Sequence, residues 1–142
     1  MAKADIEEVL DVPKDKLFDV ITRYEEYPEF VTGVRKIEVE RKGPGKARCK
    51  YHVSMIKDIE YTLDITDDRD AGTIQWSLVE SDAMKVNNGF WKLTAEGDDQ
   101  THVRYELEVE FSFPVPGFVL KKLVKGSLGP MVRSFEERVL SL

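Results

Sequence analysis

FVLKKLVKGSLGPMVRSFEERVLSL, residues 118–142, carries apolar side chains at Leu120, Val124, Leu128, Met131, Phe135 and Val139. Their spacings place them on one stripe of a helix with 3.6 residues per turn. Lys121, Lys122, Lys125, Arg133, Glu136 and Glu137 fall largely off that stripe and belong in water. A helix of this length needs a broad apolar partner. Most of what precedes it alternates with the period of β-strand, so the expected architecture is a terminal helix laid across an antiparallel sheet. Within the helix, Pro130 has no N–H for the carbonyl of Gly126, its ring crowds that same carbonyl, and Gly129 adds backbone freedom. A kink or break is therefore expected between Gly126 and Pro130. It divides the helix into a basic first half, a candidate lid, and a core-anchored second half.

Working back to the start of the chain, Ile6, Leu10 and Val12 share one face of a first strand, with Glu8 on the same face. Pro13 stops that strand and suits the first turn of a helix. Leu17, Val20, Ile21 and Tyr24 have amphipathic-helix spacing. Tyr24 to Phe30 reads as a break and a second, shorter helix, which Gly33 ends in a left-handed conformation. From Val34 the period changes to two. Ile37 and Val39 lie on one strand, Cys49, Tyr51, Val53 and Met55 on the next, and Ile59, Tyr61, Leu63 and Ile65 on a third. Ile74, Trp76 and Leu78 follow, then Gly89, Trp91 and Leu93. The clearest strand of all has Val103, Tyr105, Leu107, Val109, Phe111 and Phe113 opposing His102, Arg104, Glu106, Glu108 and Glu110. Short turns such as Gly43-Pro44-Gly45 and Gly97-Asp98-Asp99 imply a meander with one wet and one dry face.

This order of a strand, two short helices, six strands and a long helix resembles the helix-grip fold of the START-like superfamily (SRPBCC), which includes polyketide cyclase/dehydrase and coenzyme Q-binding proteins. The resemblance is carried by Asp11-Val12-Pro13-Lys14-Asp15-Lys16-Leu17-Phe18-Asp19-Val20-Ile21 with Tyr27-Pro28-Glu29-Phe30, and by Gly89-Phe90-Trp91-Lys92-Leu93 with Thr101-His102-Val103-Arg104-Tyr105. It implies an α+β fold: a curved seven-stranded antiparallel sheet wrapped around a long C-terminal helix, with two short helices between strands 1 and 2. It also implies an apolar cavity between sheet and helix. Members of the superfamily carry lipids, sterols, isoprenoid quinones or polyketide intermediates, others act on ribosomes, and some plant relatives bind hormones. Function has to be argued from the site and not from the fold.

The totals narrow the classes further. With 142 residues, one domain spanning 1–142 is expected. A net charge of −6 and a pI near 5.0 argue against a protein that tracks nucleic-acid phosphates. No run approaches the roughly 20 apolar residues that span a bilayer, and Met1 to Asp5 lacks the apolar core of a signal peptide. The lone cysteine, Cys49, has no partner for an internal disulfide, so a reducing cytoplasm is the expected location.

Candidate chemistry is sparse. Cys49 and His52 look like a nucleophile and its base, but three residues apart on a strand they point to opposite faces. His52 and His102 both fall on the wet face, with no metal-ligand spacing around them. Glu8, if buried, would have a raised pKa and would act as an acid or hold a ligand hydroxyl. The plainer reading, an exposed edge or a slipped strand, is preferred. Lys121, Lys122 and Lys125 beside Val115, Phe118 and Val119 read first as a solvated face, with transient contact to an anionic membrane or a ribosome as the alternative. Trp76, Trp91, Tyr51, Tyr61 and Tyr105 all fall on the dry face. Buried tyrosine hydroxyls need partners, so three of them facing inward fit a cavity with some polar lining better than a solid core.

The expected ligand-binding residues are Tyr51, Val53, Tyr61, Leu63, Trp76, Trp91, Tyr105 and Leu107 from the sheet, with Met131 and Phe135 from the helix. They should enclose a void of roughly 300–1,000 Å³. No catalytic residue, metal, cofactor or nucleic acid is expected, and the expected partner is an apolar small-molecule ligand (lipid, isoprenoid quinone or polyketide-like). The preferred function is that of a carrier or sensor. The alternatives are a polyketide cyclase/dehydratase-type enzyme and a ribosome- or membrane-associated interaction module.

Overall fold

A computed structural model describes residues 2–55 and 57–142. Its first strand, β1 (Ala2–Leu10), turns even-numbered side chains toward the core, with Ala4 and Leu10 fully covered. Extended backbone at Pro13 then leads into α1 (Lys14–Thr22), and the Leu17 amide donates to the Pro13 carbonyl at 3.0 Å. Leu17, Phe18, Val20 and Ile21 give α1 one buried face. Tyr24 belongs to the next element, a short 3-10 helix (Tyr24–Glu29) that buries Tyr24 and Tyr27. Gly33 has φ +88°, the left-handed conformation expected of it, and its carbonyl accepts from the Ser54 amide at 2.8 Å.

Six further strands follow: β2 (Val34–Gly43), β3 (Lys46–Ser54), β4 (Asp58–Asp68), β5 (Thr73–Ser81), β6 (Met84–Glu96) and β7 (Gln100–Phe111). All neighbours are antiparallel and the spatial order is β1-β7-β6-β5-β4-β3-β2. Thus β2 to β7 form the expected meander, while β1 pairs with the far edge of β7. The seven-stranded sheet and helices reproduce the α+β helix-grip arrangement. On the outer face, cross-strand ion pairs replace apolar contacts. Arg48 holds Asp64 through two nitrogens at 2.7 and 3.0 Å, and Lys3 meets Glu106 at 3.1 Å. Exposed pairs of this kind each contribute only about 0–1 kcal/mol. The hydrophobic face sets the register.

The terminal helix is in two pieces, α2 (Gly117–Val124) and α3 (Leu128–Leu140). The break at residues 125–127 lies at the start of the stretch expected to interrupt it. Pro130 falls in the first turn of α3, where its missing N–H leaves no bond unmade. Leu128, Val132, Phe135 and Val139 are the residues of α3 that are fully covered. Val132 thus takes the core position that the stripe assigned to Met131, and half-buried Met131 sits on the flank facing the sheet's hollow. At this point of a 3.6-residue turn, neighbours three and four positions on both fall near the stripe.

Glu8 keeps its place on the inward side, opposite Val103, so the strand has not slipped. It lies at the sheet edge, and Arg133 of α3 donates to its carboxylate at 2.8 Å. The choice between a buried acid and a solvent-facing one therefore misses what Glu8 does, which is to tie the edge strand to the terminal helix. Arg133, placed in water by the stripe, is the other half of that tie.

Candidate functional site

Between the sheet and the two terminal helices lies a cavity of about 590 Å³, within the size range of ligand pockets. All ten residues singled out from the sequence line it: Tyr51 and Val53 from β3, Tyr61 and Leu63 from β4, Trp76 from β5, Trp91 from β6, Tyr105 and Leu107 from β7, and Met131 and Phe135 from α3. Thr32, Met55, Ser127 and Pro130 both line the cavity and reach the surface, so its mouth lies between the 3-10 helix, the end of β3 and the break in the terminal helix. Leu123 and Val124 of α2 border the same space. The lysines of α2, Lys121 and Lys122, and Lys125 beyond it, are exposed, as is Phe118.

Much of the wall is one run of rings. Tyr61 stacks on Tyr51 at 5.0 Å and 14°, because the two are register partners on β3 and β4. Tyr51 continues to Tyr27 at 6.4 Å, Tyr27 to Phe135 at 5.3 Å, Phe135 to Trp91 at 5.0 Å, and Trp91 to Tyr105 at 4.9 Å. Trp76 completes the run at 5.4 Å from Tyr105, although a whole strand separates β5 from β7. Gly89 makes this possible. A Cβ there would sit 2.4 Å from the Trp76 ring and 2.3 Å from the Glu106 carbonyl oxygen. The missing side chain lets the indole lie across β6.

The polar groups in the wall are uncharged. No Asp, Glu, Lys, Arg or His lines the cavity among the described residues. Tyr24 donates to Asp67 at 3.2 Å and Tyr27 to the Ile21 carbonyl at 2.5 Å, so the protein itself satisfies both phenols. Asn87, also buried, accepts from the Trp76 indole N–H at 3.0 Å. Burial pushes the phenols of Tyr51, Tyr61 and Tyr105 above the ordinary tyrosine value, so they are protonated donors at any physiological pH.

Tyr24, Tyr27 and Asn87 were missed in the sequence. Asn87 carried a usable signal, since it alternates with Gly89 and Trp91 on the dry face of β6 and is an isolated polar residue there. Tyr24 continued the apolar spacing of Leu17, Val20 and Ile21, which signalled burial but not the cavity, and Tyr27 carried no signal. Short 3-10 segments have no reliable period, and nothing local says which side meets the sheet.

Cys49 and His52 are kept apart as their alternation requires. Cys49 is fully buried beside Leu63 and does not line the cavity, and burial pushes its thiol up to about 12. On the outer face, His52 contacts Glu38 at 2.9 Å and Glu60 at 3.1 Å. The native protein should therefore resist thiol alkylation up to about pH 9 and react only on unfolding. Rapid labelling of the folded chain would show an open path to Cys49. Among the described residues no cluster of three or more His, Cys, Asp or Glu is placed to hold a metal, and no helix is long and apolar enough to cross a membrane.

Comparison with known proteins agrees with this geometry. The family model described as polyketide cyclase/dehydrase and lipid transport matches residues 10–136. No curated protein matches the chain by sequence. Among solved structures, the Zhui aromatase/cyclase of Streptomyces sp. R1128 superposes with a TM-score of 0.86 at 13% identity, over 98% of this chain and 93% of its own. A START superfamily protein of Mycobacterium smegmatis also gives 0.86, at 18% identity over 98% and 97% of the two chains. Major latex-like protein 151 of Panax ginseng gives 0.71 at 12% identity, over 98% and 97%. At these identities the likeness is one of fold.

Proposed function

The chain belongs to the polyketide cyclase/dehydrase and lipid transport family, and from that premise we propose that it is a carrier or sensor holding a hydrophobic small molecule between its sheet and terminal helices. The observation that carries this reading is the cavity of about 590 Å³ with an apolar, aromatic and charge-free described lining. Removing an apolar ligand from water into such a space is favourable at roughly 25 cal/mol per Å². The ten expected residues supply the contact surface, and α2 serves as the lid that admits the ligand, hinged at residues 125–127.

The catalytic alternative, a cyclase or dehydratase, needs a proton donor or acceptor with a pKa near the working pH in reach of the ligand. The described lining offers phenols that burial keeps protonated, which favours holding a molecule over transforming it. The test is native mass spectrometry of protein purified from its own host, followed by titration of the emptied protein with lipids, isoprenoid quinones and polyketides while tryptophan fluorescence is read. A co-purifying small molecule and a saturable change from Trp76 and Trp91 are expected. An empty spectrum together with no fluorescence response would end the carrier reading.

A further inference from the structure

We propose that the cavity selects a flat, uncharged, oxygen-bearing ligand whose acceptor oxygens are taken by the hydroxyls of Tyr51, Tyr61 and Tyr105, and that it turns away carboxylate-headed lipids. This deepens the carrier reading and rests on it.

Three observations lead there. The first is the set of three hydroxyls. Tyr51, Tyr61 and Tyr105 are only 7%, 8% and 9% exposed, yet none makes a hydrogen bond to another described residue. No fully enclosed side-chain oxygen or nitrogen lacks a partner among the described residues, so these three hydroxyls open onto the cavity and are not sealed in the wall. Tyr24 and Tyr27 set the contrast, because each has been given an acceptor by the fold. Hydroxyls that open onto the cavity with no acceptor supplied by the fold are free to donate to whatever occupies it.

The second observation is charge. A carboxylate entering this space would shed its water and meet no Lys, Arg or His in the described lining. Phenols donate to an anion but do not neutralise it, and an ion moved out of water without a counter-charge is disfavoured. A carbonyl, ether or quinone oxygen asks only for a neutral donor. Shape is the third. Tyr51, Tyr61, Trp76, Trp91, Tyr105 and Phe135 make the lining rich in aromatic rings, a surface that suits a planar π-system.

The experiment uses the full chain and three probes built on one skeleton: anthracene, 9,10-anthraquinone and anthraquinone-2-carboxylate. Each is titrated against Trp76 and Trp91 fluorescence. Anthraquinone is expected to bind about tenfold or more tightly than either of the others, the scale of two neutral hydrogen bonds. A variant with Tyr51→Phe, Tyr61→Phe and Tyr105→Phe should bring anthraquinone down to the level of anthracene and leave anthracene where it was. Equal binding of anthracene and anthraquinone by the unaltered protein would overturn the role of the hydroxyls with the carrier reading intact. Carboxylate binding as tight as that of the quinone would overturn the charge rule. Failure of all three probes would overturn the proposal, while the carrier reading stands or falls by the native mass spectrum and the titration with lipids, isoprenoid quinones and polyketides. Should the triple variant misfold, the wild-type ranking and the single changes Tyr61→Phe and Tyr105→Phe decide the matter.

Discussion

Phe135→Ala is expected to lower stability by about 3–5 kcal/mol, the largest loss of any single truncation proposed for this chain. The ring is 2% exposed and meets Tyr27 at 5.3 Å, Phe30 at 5.1 Å and Trp91 at 5.0 Å, all edge to face. Those contacts join α3 to the 3-10 helix and to β6, three elements far apart in the chain. Such pairs contribute beyond their buried area. Truncation would also merge its vacated space with the existing cavity, and a pocket that is already open gives the surroundings little means to close the gap. Urea unfolding followed by far-ultraviolet circular dichroism measures the difference. A loss below about 1 kcal/mol would mean that the helix is held by its other contacts and that Phe135 is merely adjacent.

Leu107→Trp is expected to do the opposite: little to stability and much to binding. Leu107 lies opposite the small Ala4 of β1, with Trp76 filling the space over Gly89 on its other side, and its side chain borders the cavity. An indole there has open space to enter. In a solid core the same enlargement would overpack and cost about 1–3 kcal/mol, whereas here a change below about 1 kcal/mol is expected. The volume it occupies is taken from the ligand, so affinity for a bound apolar molecule should fall by about tenfold or more, equivalent to 1.4 kcal/mol. The decisive comparison is the melting temperature of the variant beside its affinity. A large stability loss with unchanged binding would return Leu107 and its neighbours to ordinary core.

How much of this was legible in the chain can be argued residue by residue. The inward faces of β3, β4 and β7 were readable because a strand's two-residue period is local. Once Val103 is known to face in, so do Tyr105, Leu107 and Val109. The break in the terminal helix was readable because proline and glycine act on their own turn. The choice between Met131 and Val132 was not, since both lie near the stripe and only the position of the sheet separates them. Nor was the tie between Glu8 and Arg133, 125 positions apart. In space Tyr105 is separated from β4 by β5 and β6, and is linked to Trp76 by a ring crossing over Gly89.

What the sequence determined by itself, then, is every property carried by a repeat or a single backbone constraint: the seven strands and their faces, the short helices after Pro13, and the interruption before Pro130. The tertiary structure alone decided how large a void the inward residues enclose, about 590 Å³, and which phenols the fold supplies with an acceptor. A void is the difference between the positions of elements distant in the chain. The same alternating pattern fits a filled core or an open one, and no local period records which.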